Sequence, residues 1–106
     1  MRCILIEPFS GVSGDMLLSA LIDVGADENE VRKRIEDVSG LKVSFERCKR
    51  GFINALRMLV EPHEETEKAE LSDIIKLIRD SDLPDEVMKT AEEVFVTLAK
   101  AENVVH

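Results

Sequence analysis

The sequence contains no tryptophan, no tyrosine and only four phenylalanines among its 106 residues, so any hydrophobic core must be mainly aliphatic. It also lacks an apolar run long enough to cross a bilayer, and it shows no secretory signal at its N-terminus. Hydrophobic residues still make up 44% of the chain and charged residues 34%, which is typical of a folded globular protein. We therefore expect a single domain over residues 1–106 in the cytoplasm.

Positive charge and cysteine are both scarce. Fourteen basic residues against twenty-two acidic ones give a net charge of −8, and the one basic cluster, Arg47, Lys49 and Arg50, is short. This balance disfavours nucleic acid and acidic membranes as partners, because both require a basic surface. Cys3 and Cys48 lie far apart and form no C-x-x-C pair, so we expect two reduced thiols and no cysteine-based metal site.

Histidine is limited to two positions, which excludes a Ser-His-Asp or Cys-His catalytic set placed by sequence. His63 lies in the acidic stretch 61–67, a pattern that favours a solvated charged loop over weak capture of a divalent ion. His106 is the last residue and follows Val104 and Val105. Because the sequence stops on an apolar run, we expect it to be the N-terminal part of a longer protein.

The apolar pattern predicts an α+β or α/β fold in which a small mixed sheet is covered by about four helices. Cys3–Ile6 is an uninterrupted apolar run, typical of a strand buried on both faces. Leu41–Glu61 alternates with period two around a Gly-Phe turn and predicts an antiparallel hairpin. Apolar residues at helical spacing predict a heavily buried first helix, a second helix on the surface, and two further helices. These four helices are expected over residues 16–24, 27–38, 71–78 and 84–102.

Candidate chemistry is concentrated between the first predicted strand and the first helix. Glu7 ends the strand, Gly11 and Gly14 lie in the loop, Ser13 is the best N-cap, and Asp15 falls in the first helical turn. A helix N-terminus offers unpaired N–H groups and a partial positive charge to a polar ligand. Two interpretations stay open: the acid and serine only cap the helix and the glycines only make a tight turn, or the segment binds a ligand.

The loop does not carry a known phosphate-binding motif. No Lys or Arg follows the glycines, which excludes a G-x-x-x-x-G-K-[ST] loop, and G-x-G-x-x-G is absent. Asp15 would itself compete with a bare phosphate for the helix terminus. A phosphate bridged to Glu7 and Asp15 by Mg²⁺ or Mn²⁺ is electrostatically favourable.

Several motifs resemble those of the LarC-type nickel-insertion proteins. The segment I-E-P-F-S-G-V-S-G-D-M-L-L-S-A-L-I-D-V-G, Ile6–Gly25, is similar to the opening of that family, and F-S-G-V-S-G-D-M is its most specific part. Arg47–Ala55 looks like the family's R-x-x-R-x-G-I-x-A hairpin, and L-S-D-I at Leu71–Ile74 looks like the start of one of its helices. The final L-A-K-A-E-N-V-V-H is also similar to the family, so the resemblance covers most of the chain.

The resemblance implies a nickel chelatase, a lyase that uses CTP to insert Ni(II) into a pyridinium-3,5-bisthiocarboxylate mononucleotide and so makes a nickel-pincer cofactor. Ni(II) is then the substrate metal, and Mn²⁺ or Mg²⁺ accompanies CTP. It also implies a longer polypeptide, so this chain is not expected to be active alone. The alternative is a non-catalytic binding or oligomerisation module. The expected ligand-binding residues are Glu7, Ser10, Gly11, Ser13, Gly14 and Asp15, and the expected metal ligands are Glu7, Asp15 and His106.

Overall fold

The structure is a computed structural model, and it describes residues 3–61 and 70–105. The described part is a mixed α+β fold of four helices and a two-stranded antiparallel sheet, which confirms the predicted fold class. In chain order the elements are α1 (Gly14–Asp23), α2 (Glu28–Ser39), β1 (Val43–Arg50), β2 (Ile53–Val60), α3 (Leu71–Arg79) and α4 (Asp85–Val105). In these ranges no helix is both long and apolar enough to span a membrane. Both cysteine thiols are free.

The chain divides into two compact units, and the first contains residues 3–33 and 42–61. In it, α1 packs against β2, and β1 pairs with β2 from Val43 opposite Val60 to Arg50 opposite Ile53. Gly51 has a φ of +62° in the two-residue turn between the strands, a conformation that glycine adopts without strain. The predicted hairpin is therefore confirmed.

The end of α1 is a Schellman motif. The N–H of Ala26 donates to the carbonyl of Leu21 at 3.1 Å, and the N–H of Gly25 donates to that of Ile22 at 3.0 Å. Gly25 has a φ of +129°, as its predicted position after the helix requires. At the start of α2, Asp27 Oδ1 accepts the N–H of Glu30 at 3.1 Å, so Asp27 is the N-cap that the sequence predicts.

The second unit contains residues 34–41 and 70–105 of the described chain. In it α3 packs against α4, and Ile78 is buried at 5% exposure. A reciprocal capping box between Glu70 and Asp73 fixes the start of α3. The carbonyl of Pro84 accepts the N–H of Met88 at 3.0 Å, so α4 begins directly after this proline.

The predicted N-terminal strand is wrong for this structure. Residues 3–8 form neither a helix nor a strand, and the side chains of Ile4, Leu5 and Ile6 are 61%, 80% and 57% exposed. The physical reason is that a strand needs a hydrogen-bonded neighbour, and the two described strands pair only with each other.

The prediction that α1 is heavily buried is also wrong. Only Ser19 and Ile22 of this helix are buried, whereas Leu17 and Leu21, on its predicted apolar face, are 39% and 37% exposed. One side of α1 packs on the hairpin, and no described sheet covers the other side. The apolar stripe is therefore partly accessible to solvent.

Candidate functional site

The loop before α1 contains a tight turn. The N–H of Gly11 donates to the carbonyl of Pro8 at 3.0 Å, and Gly11 has a φ of +85°. Glycine is favoured here for its backbone conformation, because a Cβ at this position would meet no atom within 4 Å. Gly14 does not have a positive φ; it is the first residue of α1. The turn interpretation thus accounts for Gly11, while the open surroundings also leave its backbone accessible to a ligand.

Ser13 caps α1 through its backbone. Its φ of −102° and ψ of 167° are extended, and its carbonyl accepts the N–H of Leu17 at 3.0 Å. The side chain makes no cap bond; the hydroxyl donates instead to Oδ1 of Asp15. Ser13 therefore occupies the predicted N-cap position, but its hydroxyl contacts the Asp15 carboxylate and accepts no backbone N–H.

The same hydrogen bond sets the charge state of Asp15. The Ser13 hydroxyl is the main cause that holds the pKa of this carboxyl below its usual range. Slight desolvation raises the pKa, and the backbone N–H groups of Met16 and Asp15 lower it further. Asp15 is exposed and lies in the first turn of α1, where the helix dipole also favours negative charge. It is therefore an accessible anion at neutral pH.

An open groove of about 320 Å³ lies between residues 3–8 and α1. Among the described residues, Glu7 is the one acidic side chain on its wall, and the remaining lining is almost entirely apolar. This volume is at the lower end of the range for small-molecule pockets. The side chains that α1 contributes to the groove are those of Met16, Leu17, Ala20, Leu21 and Val24.

The structure places the predicted ligand residues in two sets. Glu7 and Gly11 line the groove, whereas Ser13 and Asp15 are bonded to each other at the helix start. Ser10 lies in the turn between Pro8 and Gly11, and Gly14 opens α1. The metal ligand predicted at His106 and the loop around His63 lie outside the described residues. Within residues 3–61 and 70–105, no group of three or more His, Cys, Asp or Glu is placed to hold a metal ion.

Sequence reasoning missed the groove. The apolar spacing of α1 is visible in the sequence, and it predicts a helix face buried in the core. A buried face and a face that lines an open groove have the same spacing, because periodicity shows which face is apolar and not what covers it.

Comparison with known proteins finds similarity over nearly the whole chain. Residues 4–106 match the family model described as nickel insertion protein. The chain belongs to the nickel insertion protein family. This match confirms the family that the motif F-S-G-V-S-G-D-M and the hairpin indicate.

Three relatives illustrate the match. The chain is similar to a putative nickel insertion protein of Methanococcoides burtonii, with 37% identity over 106 residues, which is 100% of this chain and 27% of the relative. A putative nickel insertion protein of Thermomicrobium roseum is 39% identical over 112 residues, with the same shares of the two chains. The pyridinium-3,5-bisthiocarboxylic acid mononucleotide nickel insertion protein of Staphylococcus epidermidis is 28% identical over 107 residues, covering 99% of this chain and 27% of the relative.

This member of the nickel insertion protein family thus spans about a quarter of the length of the curated relatives it matches. No solved structure matches it significantly. The names of the relatives describe nickel insertion, so Ni(II) is handled by those longer proteins, and one of them is named for a mononucleotide substrate.

Proposed function

We propose that this chain contributes to the insertion of Ni(II) into pyridinium-3,5-bisthiocarboxylic acid mononucleotide, as part of a nickel chelatase of the lyase class that depends on CTP. The observation that supports this most strongly is the family match over residues 4–106, together with a relative named for that mononucleotide. In this proposal Ni(II) is substrate, and the complete site includes residues beyond the two sets described above.

The loop before α1 is the proposed ligand-binding element. Asp15 presents an ionised carboxylate at a helix N-terminus, and Glu7 places a second carboxyl group at the edge of the groove. Carboxylate oxygens suit Mg²⁺ or Mn²⁺, which usually take one or two protein carboxylates together with phosphate oxygens and water. The donor chemistry therefore fits a nucleotide-bound divalent ion. Ser10 and Gly11 in the turn, Ser13 at the N-cap and Gly14 at the start of α1 add hydroxyl and backbone groups between Glu7 and Asp15 in the sequence.

The test uses a chimera in which this chain replaces the matched 106-residue segment of the Methanococcoides burtonii relative. Nickel incorporation into the mononucleotide is measured by elemental analysis of the purified product, with and without CTP. We expect Asp15→Asn and Glu7→Gln each to lower the rate by about 10-fold or more, because each removes a charge-assisted contact.

Asp85→Asn is the matched control. Asp85 is an exposed aspartate in the first turn of α4, so this variant makes the same atomic change at another helix start. It should leave the rate unchanged. Full activity in both Asp15→Asn and Glu7→Gln would overturn the assignment of the loop, whereas an equal loss in Asp85→Asn would show a general effect of helix charge.

A second candidate function is a non-catalytic binding or oligomerisation module. The exposed apolar residues beside α1 favour it, because large accessible apolar surfaces usually mark sites of association. Light scattering coupled to size exclusion tests this function. A monomeric chimera with CTP-dependent activity that requires Asp15 would exclude it.

A further inference from the structure

Residues 3–7 have the side-chain pattern of a strand, but they pair with no strand of the described chain. The segment belongs to no helix, and in the described part of the chain its amides and carbonyls take part in no sheet. Leu5, at 80% exposure, lies between Ile4 and Ile6, which are less exposed at 61% and 57%. This alternation has the period of two that a strand produces when one face lies against a support.

The support is α1. The groove between the segment and this helix is lined by apolar side chains along its length, with Glu7 at one end. An apolar segment without a sheet partner is a ready template for pairing with another strand. The composition of the segment also restricts its partner, because a surface with almost no charge is complementary to an apolar strand and not to a charged peptide.

We propose that residues 3–7 pair with a β-strand from the portion of the nickel insertion protein that lies outside the matched segment, and that an apolar side chain of this strand packs beside Leu5. The relatives carry nearly three quarters of their length outside the segment that matches this chain, so they contain ample polypeptide to supply it. A second copy of this chain is the less favourable occupant, because a net charge of −8 on each copy opposes self-association. The proposal does not depend on what the loop before α1 binds.

Hydrogen–deuterium exchange tests the pairing without nickel or CTP, so its outcome is independent of the proposed activity. The amides of residues 4–6 are compared between this chain alone and the chimera with the Methanococcoides burtonii relative. In the chain alone they should exchange at rates close to those of an unstructured peptide. In the chimera we expect alternate amides to slow by about 100-fold or more, because pairing closes them to solvent.

Leu5→Ser provides the side-chain test. Leu5 is largely exposed in the chain alone, so the substitution should leave the circular dichroism spectrum of the chain unchanged. In the chimera it should raise the exchange rates of the neighbouring amides by about 10-fold, because an apolar side chain no longer becomes buried on docking. Phe52→Ser is the control, because Phe52 is fully exposed in the turn between β1 and β2, outside the groove. This variant should leave the exchange rates of residues 4–6 unchanged, both in the chain alone and in the chimera.

Three results would overturn the proposal. Fast exchange of residues 4–6 in a folded chimera would show that no strand pairs with them. Protection of these amides in the isolated chain that becomes stronger at higher protein concentration would identify a second copy as the occupant. Slowed exchange in the chimera that Leu5→Ser leaves unchanged would show that Leu5 does not pack against the partner strand.

Discussion

Helix α1 buries few of its side chains, so Ile22→Ala is a sensitive test of its packing. Ile22 is 8% exposed and is the one large apolar side chain of α1 that is classed as buried. The substitution keeps a helix-favouring residue at this position, so its effect should come from lost burial and not from lost helix propensity.

The magnitude follows from the atoms removed. Isoleucine has three more side-chain carbons than alanine, and at about 0.8 kcal/mol for each buried carbon the loss is about 2 kcal/mol. In the described residues no large side chain is below 2% exposure, so neighbours can relax and the added cavity cost should be small. For a chain of this length the free energy of unfolding is roughly 5–15 kcal/mol, so the loss is a substantial part of it.

Urea unfolding followed by circular dichroism measures the effect, and the midpoint should fall by roughly 1–2 M. Ile53→Ala is the matched control, because it removes the same carbons from a side chain that is 71% exposed. Its expected cost is about 0.7 kcal/mol by the same scaling. Equal losses in the two variants would refute the reasoning, since burial would then not determine the cost.

Three further predictions concern individual polar groups. Ser19 is 3% exposed and its hydroxyl has no partner in the described residues, so Ser19→Ala should raise the free energy of unfolding by about 1 kcal/mol, and a clear loss in urea unfolding would contradict this. Because the Ser13 hydroxyl lowers the pKa of Asp15, its stabilising effect is complete at neutral pH and is lost as pH falls through that lowered pKa. Ser13→Ala should therefore raise the pKa of Asp15 in an NMR titration, and an unchanged value would show that another group sets it. Arg79 donates from Nε to Glu92 at 2.8 Å with 69% of its side chain exposed, so Arg79→Ala should leave the urea midpoint within error. A resolved shift there would show that this pair contributes more than an ordinary surface ion pair.

The hairpin shows how much local pattern can predict. Leu41–Glu61 alternates with period two, and Gly51 permits the positive φ that a two-residue connection requires. Local chemistry also predicted Asp27 as an N-cap and Gly25 as the residue after α1. The turn and the two helix ends depend on atoms within a few residues of each other, so local sequence contains what is needed to predict them.

The candidate site was only partly predictable. The motif located the loop before α1, and Gly11 adopts the left-handed backbone that a tight turn favours. The sequence did not show that the Ser13 hydroxyl donates to the Asp15 carboxylate, because several polar groups lie within reach of a serine at a helix start. The structure was also needed to show that Glu7 lines the groove whereas Asp15 lies at the helix start.

Amino-acid pattern alone predicts the α+β class, the four helices, the hairpin and the family resemblance. The folded chain was needed to show that residues 3–7 pair with no described strand and that the apolar side of α1 is open as a groove. The physical reason is that periodicity records which side chains avoid water, whereas burial requires a second surface. For the apolar run Cys3–Ile6, the two described strands do not provide that surface.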